Sequence, residues 1–256
     1  MNKVLFKRAR LSEVLNVQST REFHTFFFSN SLGIYKDSLK SKNDFGSVLA
    51  LGSSHIEAEE LIKYPFKKIV LSGFAAPTEK TKEIIKKDKR VSYQTENIEK
   101  LSFKSQSFDL VFVKEALHHV PRPILGLYEM LRVSKKAVIF IEPGESLLGS
   151  ILDWLKLSSK YETNQAGNQK FRDNFVYRWN KKEIVKMLNS YYLESGYKLF
   201  LSNCWMSNRY NMRFKPLIKV LNFVGWTLSL IPFNKGNYLT CVIFPGKDLP
   251  EEIKSF

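Results

Sequence analysis

The chain has 256 residues, of which 44% are hydrophobic and 25% are charged, and this composition excludes global disorder. Its length suits one large α/β domain, or one domain with an appended part. The formal net charge of +15 favours an anionic partner, namely a membrane surface, nucleic acid or a phosphorylated or acidic substrate. The alternative is a basic protein without such a partner.

The basic surplus is uneven along the chain. It is +4 over residues 1–45, +3 over 46–145 and +8 over 146–256, so it lies mainly in the flanks. Cys204 and Cys241 have no metal-ligand spacing, and the N-terminus lacks the apolar core of a signal peptide. We therefore expect a cytoplasmic protein, with a possible peripheral association at the inner membrane face.

The first 45 residues are expected to be helical and rich in phenylalanine. From residue 46 onward, strands alternate with helices. Strands are predicted at 48–51, 68–71, 91–93, within the stretch 107–120 and at 137–141, with helices from residue 54, at 77–89 and at 121–133. The helix from residue 54 starts with a capping box, Ser54 followed three residues later by Glu57. This alternation indicates right-handed crossovers and a mainly parallel sheet.

After Gly144 the pattern is looser. We predict a loop at residues 159–177, a helix at 181–192 and two late strands at 197–201 and 238–244. Such late strands often close a parallel sheet with an antiparallel edge.

The stretch from Ser107 to Val120 indicates where a ligand would bind. It leads through a short apolar run, typical of a strand buried on both faces, into Lys114 and Glu115. Polar groups at the end of such a strand lie at the carboxyl edge of an open sheet, which is the usual ligand edge. Glu115 could act as a base if burial raised its pKa, and the alternative is a structural ion pair between Lys114 and Glu115.

Two other polar features are interpreted as structural. His118 and His119 are adjacent, point in different directions and have no supporting ligand at metal spacing, so we predict no metal site. The lysine-rich run at residues 80–90 also contains acidic residues, which indicates a solvated helix face rather than a nucleic-acid patch.

Residues 195–247 contain seven Lys or Arg residues and no Asp or Glu. The apolar segment 216–232 within them is too short to span a bilayer. Lys219, Asn222 and Ser229 would share one side of a helix there, which suits a helix lying in a membrane interface. The alternatives are a helix buried against the sheet and a dimer contact.

Four short motifs give the chain a resemblance to the class I S-adenosylmethionine-dependent methyltransferases of methyltransferase type 11. They are Leu101-Ser102-Phe103, Ser107-Phe108-Asp109-Leu110-Val111, Leu117-His118-His119-Val120 and Leu131-Arg132-Val133. The resemblance implies an α/β fold with a Rossmann-like, seven-stranded, mostly parallel sheet and helices on both faces. It also implies a helical lid at 1–45, a cofactor-binding core at 46–145 and acceptor-side helices and closing strands at 146–256.

The same resemblance implies S-adenosylmethionine as cofactor and assigns residues to it. Its methionine end would meet the first turn and the end of the fourth strand, its ribose the end of the second strand, and its adenine the third motif. The implied cofactor-binding residues are Gly52, Ser53, Ser54, Ser72, Gly73, Asn97, Ile98 and Lys114, with Glu115 as the catalytic candidate.

The cofactor motifs depart from the family pattern at three positions. Ala50 and Ser72 stand where the family commonly has acidic residues, and Asn97, beside Glu96, stands where it has aspartate. A carboxylate that accepts ribose hydroxyls makes bonds worth about 1.5–3 kcal/mol each, so their loss predicts weaker cofactor binding.

Three functions follow as hypotheses. The first is methyl transfer to a small-molecule, glycan or lipid-linked acceptor near an anionic membrane surface. The second is a catalytically inactive methyltransferase-like binding or scaffold protein, which the departures at Ala50 and Ser72 favour. The third is RNA methylation, which the net charge permits although no RNA-binding module is recognisable.

Overall fold

The computed structural model describes residues 2–41, 43–154, 161–162, 174–192, 196–204, 215–230 and 236–246. In chain order its elements are β1 (Lys3–Arg8), α1 (Leu11–Leu15), α2 (Thr20–Ser38), β2 (Ser47–Leu51), α3 (His55–Leu61), β3 (Lys68–Gly73), α4 (Glu79–Lys87), β4 (Val91–Thr95), β5 (Phe108–Lys114), α5 (Pro123–Val133), β6 (Ser134–Pro143), α6 (Leu147–Trp154), β7 (Tyr161–Glu162), β8 (Asn174–Phe175), α7 (Lys181–Tyr191), β9 (Tyr197–Cys204), α8 (Lys215–Leu228) and β10 (Tyr238–Pro245).

Eight strands form the main sheet, in the order β1-β9-β10-β6-β5-β2-β3-β4. The predicted Rossmann-like architecture is confirmed. Strand β10 runs antiparallel to β6 and β9, while the other neighbouring pairs are parallel. The predicted antiparallel closing strand is therefore present, and the carboxyl ends of β2, β3, β5 and β6 meet at one edge.

The prediction of seven strands and of a wholly helical N-terminal region is wrong at Lys3–Arg8. These residues form an eighth strand that pairs in parallel with β9, with Lys3 opposite Lys198 and Arg8 opposite Asn203. The physical reason is the run of strand-forming residues Val4-Leu5-Phe6, which finds an unpaired edge of the sheet.

Helices cover both faces of the sheet, as predicted. Alternate strand residues face opposite sides, so Leu49 and Leu51 belong to one core cluster while Val48 and Ala50 belong to the other. The first cluster includes residues of α5 and α7, and the second includes the phenylalanine-rich face of α2.

The C-terminal half differs in detail from the predictions. Helix α8 ends at Leu228, and residues 231 and 232 of the predicted helix lie outside the described residues. In the predicted loop 159–177, Tyr161–Glu162 pairs antiparallel with Asn174–Phe175, and most of the remainder lies outside the described residues. Within the described part of the chain, the helices are too short or too polar to cross a membrane.

Arg132 connects two of the family motifs. Its guanidinium donates hydrogen bonds to the carbonyl oxygens of Phe103 (2.8 Å) and Leu101 (3.0 Å), while Glu129 accepts from the Leu101 amide at 2.8 Å. The Phe103 ring packs edge-on against Phe108, with centroids 4.8 Å apart. These motif residues therefore brace the loop between β4 and β5 against α5.

Asp109, the acidic residue of the Ser-Phe-Asp motif, links β5 to β2. Its carboxylate accepts hydrogen bonds from the Ser47 amide and hydroxyl, both at 2.8 Å, and lies 2.9 Å from Lys136 Nζ. Burial alone would raise the pKa of Asp109, but these bonds outweigh burial and lower it.

We predict that Asp109→Asn destabilises the fold in a pH-dependent way. The amide cannot pair with Lys136, so the free energy of unfolding should fall by about 1–3 kcal/mol at pH 7. The pKa of Asp109 is lower in the native state than in the unfolded state. The carboxylate therefore stabilises the fold fully at a pH above its unfolded-state pKa, and this stabilisation is lost as the pH falls through its native-state pKa. Urea denaturation should show that the difference in the free energy of unfolding between wild type and variant becomes smaller below about pH 4.

The matched control is Asp44→Asn, which removes a surface pair with Lys67 at 2.9 Å. Exposed pairs contribute little, so this variant should match wild type. A loss of unfolding free energy in Asp109→Asn that is the same at every pH would contradict the predicted dependence on the ionisation of Asp109.

Candidate functional site

Two turns meet at the carboxyl edge of the sheet. Gly52, which follows β2, has φ +58°, and a β-carbon placed on it would lie 2.3 Å from Ala116 Cβ in the turn after β5. A side chain is therefore excluded at Gly52 by both backbone conformation and space. This contact brings the predicted first turn beside Glu115.

Glu142 at the end of β6 holds the second turn in place. Its fully buried carboxylate accepts hydrogen bonds from the amides of Ala116 (2.9 Å) and Leu117 (2.8 Å) and lies 2.5 Å from His118 Nδ1. The structural interpretation of His118 is confirmed, while His119 is exposed. Among the described residues, no three His, Cys, Asp or Glu side chains are grouped to hold a metal ion.

Ser53 joins the ends of β2 and β3. Its amide donates to the Ser72 carbonyl at 2.8 Å, and its hydroxyl lies 2.9 Å from the Ala50 carbonyl and accepts from the Ser72 amide at 3.0 Å. Ser53 thus fixes the relative position of the two strand ends, and its side chain is committed to that task.

Ser54 caps helix α3, as the capping box predicts. Its hydroxyl accepts from the Ile56 amide at 3.2 Å, and Glu57 accepts from the Ser54 amide at 2.7 Å. The resemblance leads one to expect the cofactor's carboxylate at this helix end. In this chain, Glu57 already occupies the Ser54 amide with a negative charge.

Ser72 and Gly73 end strand β3. Ser72 is fully buried, and its hydroxyl has no hydrogen-bond partner. Gly73 leaves room for Tyr93, whose hydroxyl would lie 2.7 Å from a β-carbon on Gly73 and donates to the Ala75 carbonyl at 2.6 Å. A buried polar atom without a partner in a protein interior often indicates a functional position.

Asn97 and Ile98 follow β4. Asn97 is exposed, and its side-chain oxygen accepts from the Glu99 amide at 2.9 Å, which leaves its NH₂ group for other partners. Ile98 is only 3% exposed, and both Ile98 and Leu117 pack against Gly126 of α5. The neighbouring Glu96 is buried and accepts from the Ser102 amide at 2.9 Å, so it does not replace the missing ribose carboxylate.

Lys114 and Glu115 form an ion pair where β5 ends. The Lys114 side chain is 1% exposed and that of Glu115 is 30% exposed. The Lys114 ammonium lies 4.9 Å from the Phe23 ring centroid, and Glu115 accepts from the Tyr238 hydroxyl at 3.0 Å. Phe23 and Tyr238 pack edge-on, with centroids 5.0 Å apart, so α2 and β10 together cover the pair.

The direction of the Glu115 pKa differs from the sequence expectation of a base. Burial by itself would raise this pKa, but the charge of Lys114 and the hydrogen bonds from Lys114 and Tyr238 outweigh it, and the pKa is lowered. Glu115 is therefore an anion at neutral pH and a weak proton acceptor. It also has φ +51°, an uncommon backbone conformation for a residue with a side chain.

His24 on α2 is a site residue that sequence reasoning missed. Burial, together with the charge of Lys114, lowers the pKa of His24, and its Nδ1 is buried without a hydrogen-bond partner. The imidazole is therefore neutral at pH 7 and can accept a proton. Its only sequence signal is a histidine inside a phenylalanine cluster, which does not indicate that α2 faces β5.

These residues fit an adenosyl sulfonium through backbone and neutral groups. The space that a side chain would take is filled by Ala116 beside Gly52 and by the Tyr93 hydroxyl beside Gly73. The buried Ser72 hydroxyl has no partner in the protein and is the candidate to bond one ribose hydroxyl. Asn97 offers donors for an adenine ring nitrogen. Ala50 and Ser72 provide no carboxylate, so the strongest ribose contact of the family is absent from this chain.

We predict that Gly52→Ala destabilises the protein. Alanine at this position would have to adopt a left-handed backbone conformation, and its β-carbon would lie 2.3 Å from Ala116 Cβ. The free energy of unfolding should therefore fall by about 2–4 kcal/mol. The control is Gly33→Ala in the middle of α2, where no atom lies within 4 Å of the new β-carbon. This control should raise stability by about 0.5–1 kcal/mol. Thermal unfolding measures both, and equal melting temperatures would contradict the prediction.

Comparison with known proteins shows which proteins the chain resembles. Residues 58–141 match the family described as methyltransferase domain. No curated protein matches the chain.

Three solved structures illustrate the similarity of fold. YcgJ from Bacillus subtilis has a TM-score of 0.54 at 12% identity, covering 86% of this chain and 99% of that one. A methyltransferase from Methanosarcina mazei has a TM-score of 0.52 at 16% identity, and the match covers 85% of this chain and 98% of that one. Phosphoethanolamine N-methyltransferase 2 from Haemonchus contortus, in complex with S-adenosylmethionine, has 0.51 at 13% identity, covering 93% of this chain and 60% of that one.

At these identities the similarity is one of fold. Residues 58–141 therefore resemble a methyltransferase domain, and the chain shares its fold with S-adenosylmethionine-dependent methyltransferases.

Proposed function

We propose that the protein is an active methyltransferase that acts on a small-molecule, glycan or lipid-linked acceptor. The observation that carries the proposal is the contact between the Gly52 turn and the Glu115-Ala116 turn, which joins the two loops that would flank cofactor and acceptor. When bound, S-adenosylmethionine supplies an electrophilic methyl group that a nucleophilic oxygen or nitrogen can take.

The ion pair suits a cationic ligand. A lone buried ammonium at Lys114 would repel a sulfonium, but Glu115 neutralises it at direct contact and the Tyr238 hydroxyl holds Glu115 in place. Glu115 thus acts as an electrostatic and positioning group. Methyl transfer depends mainly on alignment, so rigidity at this point is useful.

His24 is the group best suited to receive the acceptor's proton. It is neutral at pH 7, and burial beside Lys114 keeps its pKa below the ordinary value of 6.5. An acceptor hydroxyl or neutral amine would form a new bond to the methyl carbon as the sulfur–methyl bond breaks and S-adenosylhomocysteine leaves. The acceptor then gives up one proton, which His24 Nδ1 can take.

The second candidate function is a methyltransferase-like binding protein without catalysis. The absence of carboxylates at Ala50 and Ser72 favours it, because weak cofactor binding removes the methyl donor. The two functions differ in one measurable property, the affinity for the nucleoside.

The first test is calorimetric titration of the full chain with S-adenosylhomocysteine. The proposal predicts a dissociation constant of about 1–100 µM. Absence of binding at about 1 mM ligand would favour the binding protein and overturn the proposal.

Methyl-tritiated S-adenosylmethionine, incubated with lipid, glycan and RNA fractions in turn, then identifies the acceptor class. Label entering only the RNA fraction would overturn the acceptor part alone.

The second test is Ser72→Ala. If the buried Ser72 hydroxyl accepts or donates one ribose hydrogen bond, its removal should weaken S-adenosylhomocysteine binding about 2- to 10-fold. The unliganded variant should be equally stable or slightly more stable, because a buried hydroxyl without a partner is costly. Titration and thermal unfolding measure the two effects. Unchanged affinity would show that Ser72 does not contact the ribose.

The third test is the pH dependence of methyl transfer to the acceptor fraction found above. The rate should be level from about pH 7 to 8 and should fall as pH drops through the lowered pKa of His24, because protonated imidazole cannot accept a proton. In His24→Asn this acidic limb should disappear, with at least a 100-fold lower rate.

The matched control for that test is Ser29→Ala, an exposed position on the same helix. It should retain both the rate and the acidic limb. An acidic limb that persists in His24→Asn would show that another group accepts the proton.

A further inference from the structure

Helix α8 presents an apolar face to solvent and a polar face to the protein. Val220, Phe223 and Val224 are 54%, 48% and 47% exposed, and Leu230 in the turn that follows is 43% exposed. The first three lie at the i, i+3 and i+4 spacing of one helix face. This distribution is the reverse of that in an ordinary surface helix.

The inward face explains why the helix is held this way. Asn222 is fully buried and donates to the carbonyls of Val17 (3.1 Å) and Val14 (3.4 Å), and Trp226 Nε1 donates to the Ala9 carbonyl at 2.9 Å. Of the three residues predicted to share one side of this helix, Asn222 and Ser229 are buried and Lys219 is exposed. These bonds orient α8 and fix its apolar face outward.

Most of the exposed apolar residues lie toward the edge of the sheet that carries the candidate site. Eight large apolar side chains are exposed among the described residues. Seven of them belong to α8 and its final turn, to α6 or to the turn after β3, and the eighth, Phe6, lies on β1. Helix α6 and the β3 turn follow carboxyl strand ends, and α8 is bound to Ala9, which follows the carboxyl end of β1. Trp154 on α6 is 81% exposed, and tryptophan is enriched at membrane interfaces.

Charge favours an anionic occupant for this surface. The 53-residue stretch 195–247, which contains α8, has seven Lys or Arg residues and no acidic residue. Lys219 is exposed at the border of the apolar face, and Arg10 is exposed next to Ala9. Glu13 on α1, the neighbouring carboxylate, accepts from the Arg10 amide at 2.9 Å and caps that helix.

We propose that the outward face of α8, formed by Val220, Phe223, Val224 and Leu230 with Lys219 at its border, docks onto an anionic lipid bilayer. The carboxyl edge would then face the membrane, with α6 contributing Trp154. The four apolar side chains are about half exposed and cover far less than the ~800 Å² per partner of a stable protein interface, so a second copy of the chain fits less well. Insertion of one helix face into a headgroup layer needs no such area.

The experiment is flotation of the full chain with vesicles of phosphatidylcholine alone and of phosphatidylcholine with one third phosphatidylglycerol. We expect binding to the anionic vesicles that falls several-fold between about 0.1 and 0.5 M salt, since screening weakens the basic contribution. The double variant Phe223→Ser with Val224→Ser should bind about 10- to 100-fold less, because it removes the inserted apolar area. Both side chains face solvent, so the melting temperature should be unchanged.

The matched control is Phe6→Ser, which removes an equally exposed aromatic side chain from β1 and should leave vesicle binding unchanged. Equal binding by wild type and the double variant, or no binding by wild type, would overturn the proposal. So would a dimer in sedimentation equilibrium that the double variant abolishes while vesicle binding is absent. Flotation needs neither cofactor nor turnover, so its result is independent of the proposed methyl transfer.

Discussion

The fold and the candidate site both depend on the contact between Gly52 and Ala116. Two β-strands end side by side, and the turns that follow them must pass within one side chain of each other. Glycine at 52 removes the obstructing β-carbon and accepts φ +58° without strain. Glu142, at the end of β6, holds the turn after β5 through its contacts with the Ala116 amide, the Leu117 amide and His118 Nδ1. A ligand at this edge therefore meets backbone that is already held in position.

Local signals in the sequence predicted the central part of the fold well. Strands β2, β3, β5 and β6 are short apolar runs, and Ser54 with Glu57 marks a helix start, so neighbouring residues suffice to identify them. Strand β1 was missed because its partner β9 lies nearly 200 residues later in the chain. Its main-chain hydrogen bonds are non-local, and nothing near Lys3–Arg8 indicates that a free sheet edge is available.

The site was predictable only in part, for a related reason. Residues that follow strands, such as Gly52, Ser72 and Glu115, are identified by position along the chain. His24 and Tyr238 reach the same place from α2 and β10, and only the folded sheet brings them together. The charge of Lys114, with a smaller contribution from the Tyr238 hydroxyl, reverses an inference about the Glu115 pKa from burial alone. Desolvation predicted a raised pKa for Glu115, whereas the buried partner Lys114 and the Tyr238 hydroxyl lower it.

The missing carboxylates and the buried ion pair have a common electrostatic consequence. A site with acids at positions 50 and 72 would attract a cationic cofactor strongly by charge. Here Ala50 and Ser72 are neutral, and Lys114 cancels Glu115, so these four positions together add no net charge where the sulfonium would lie. Affinity must then come from hydrogen bonds and shape, which favours modest binding and rapid release.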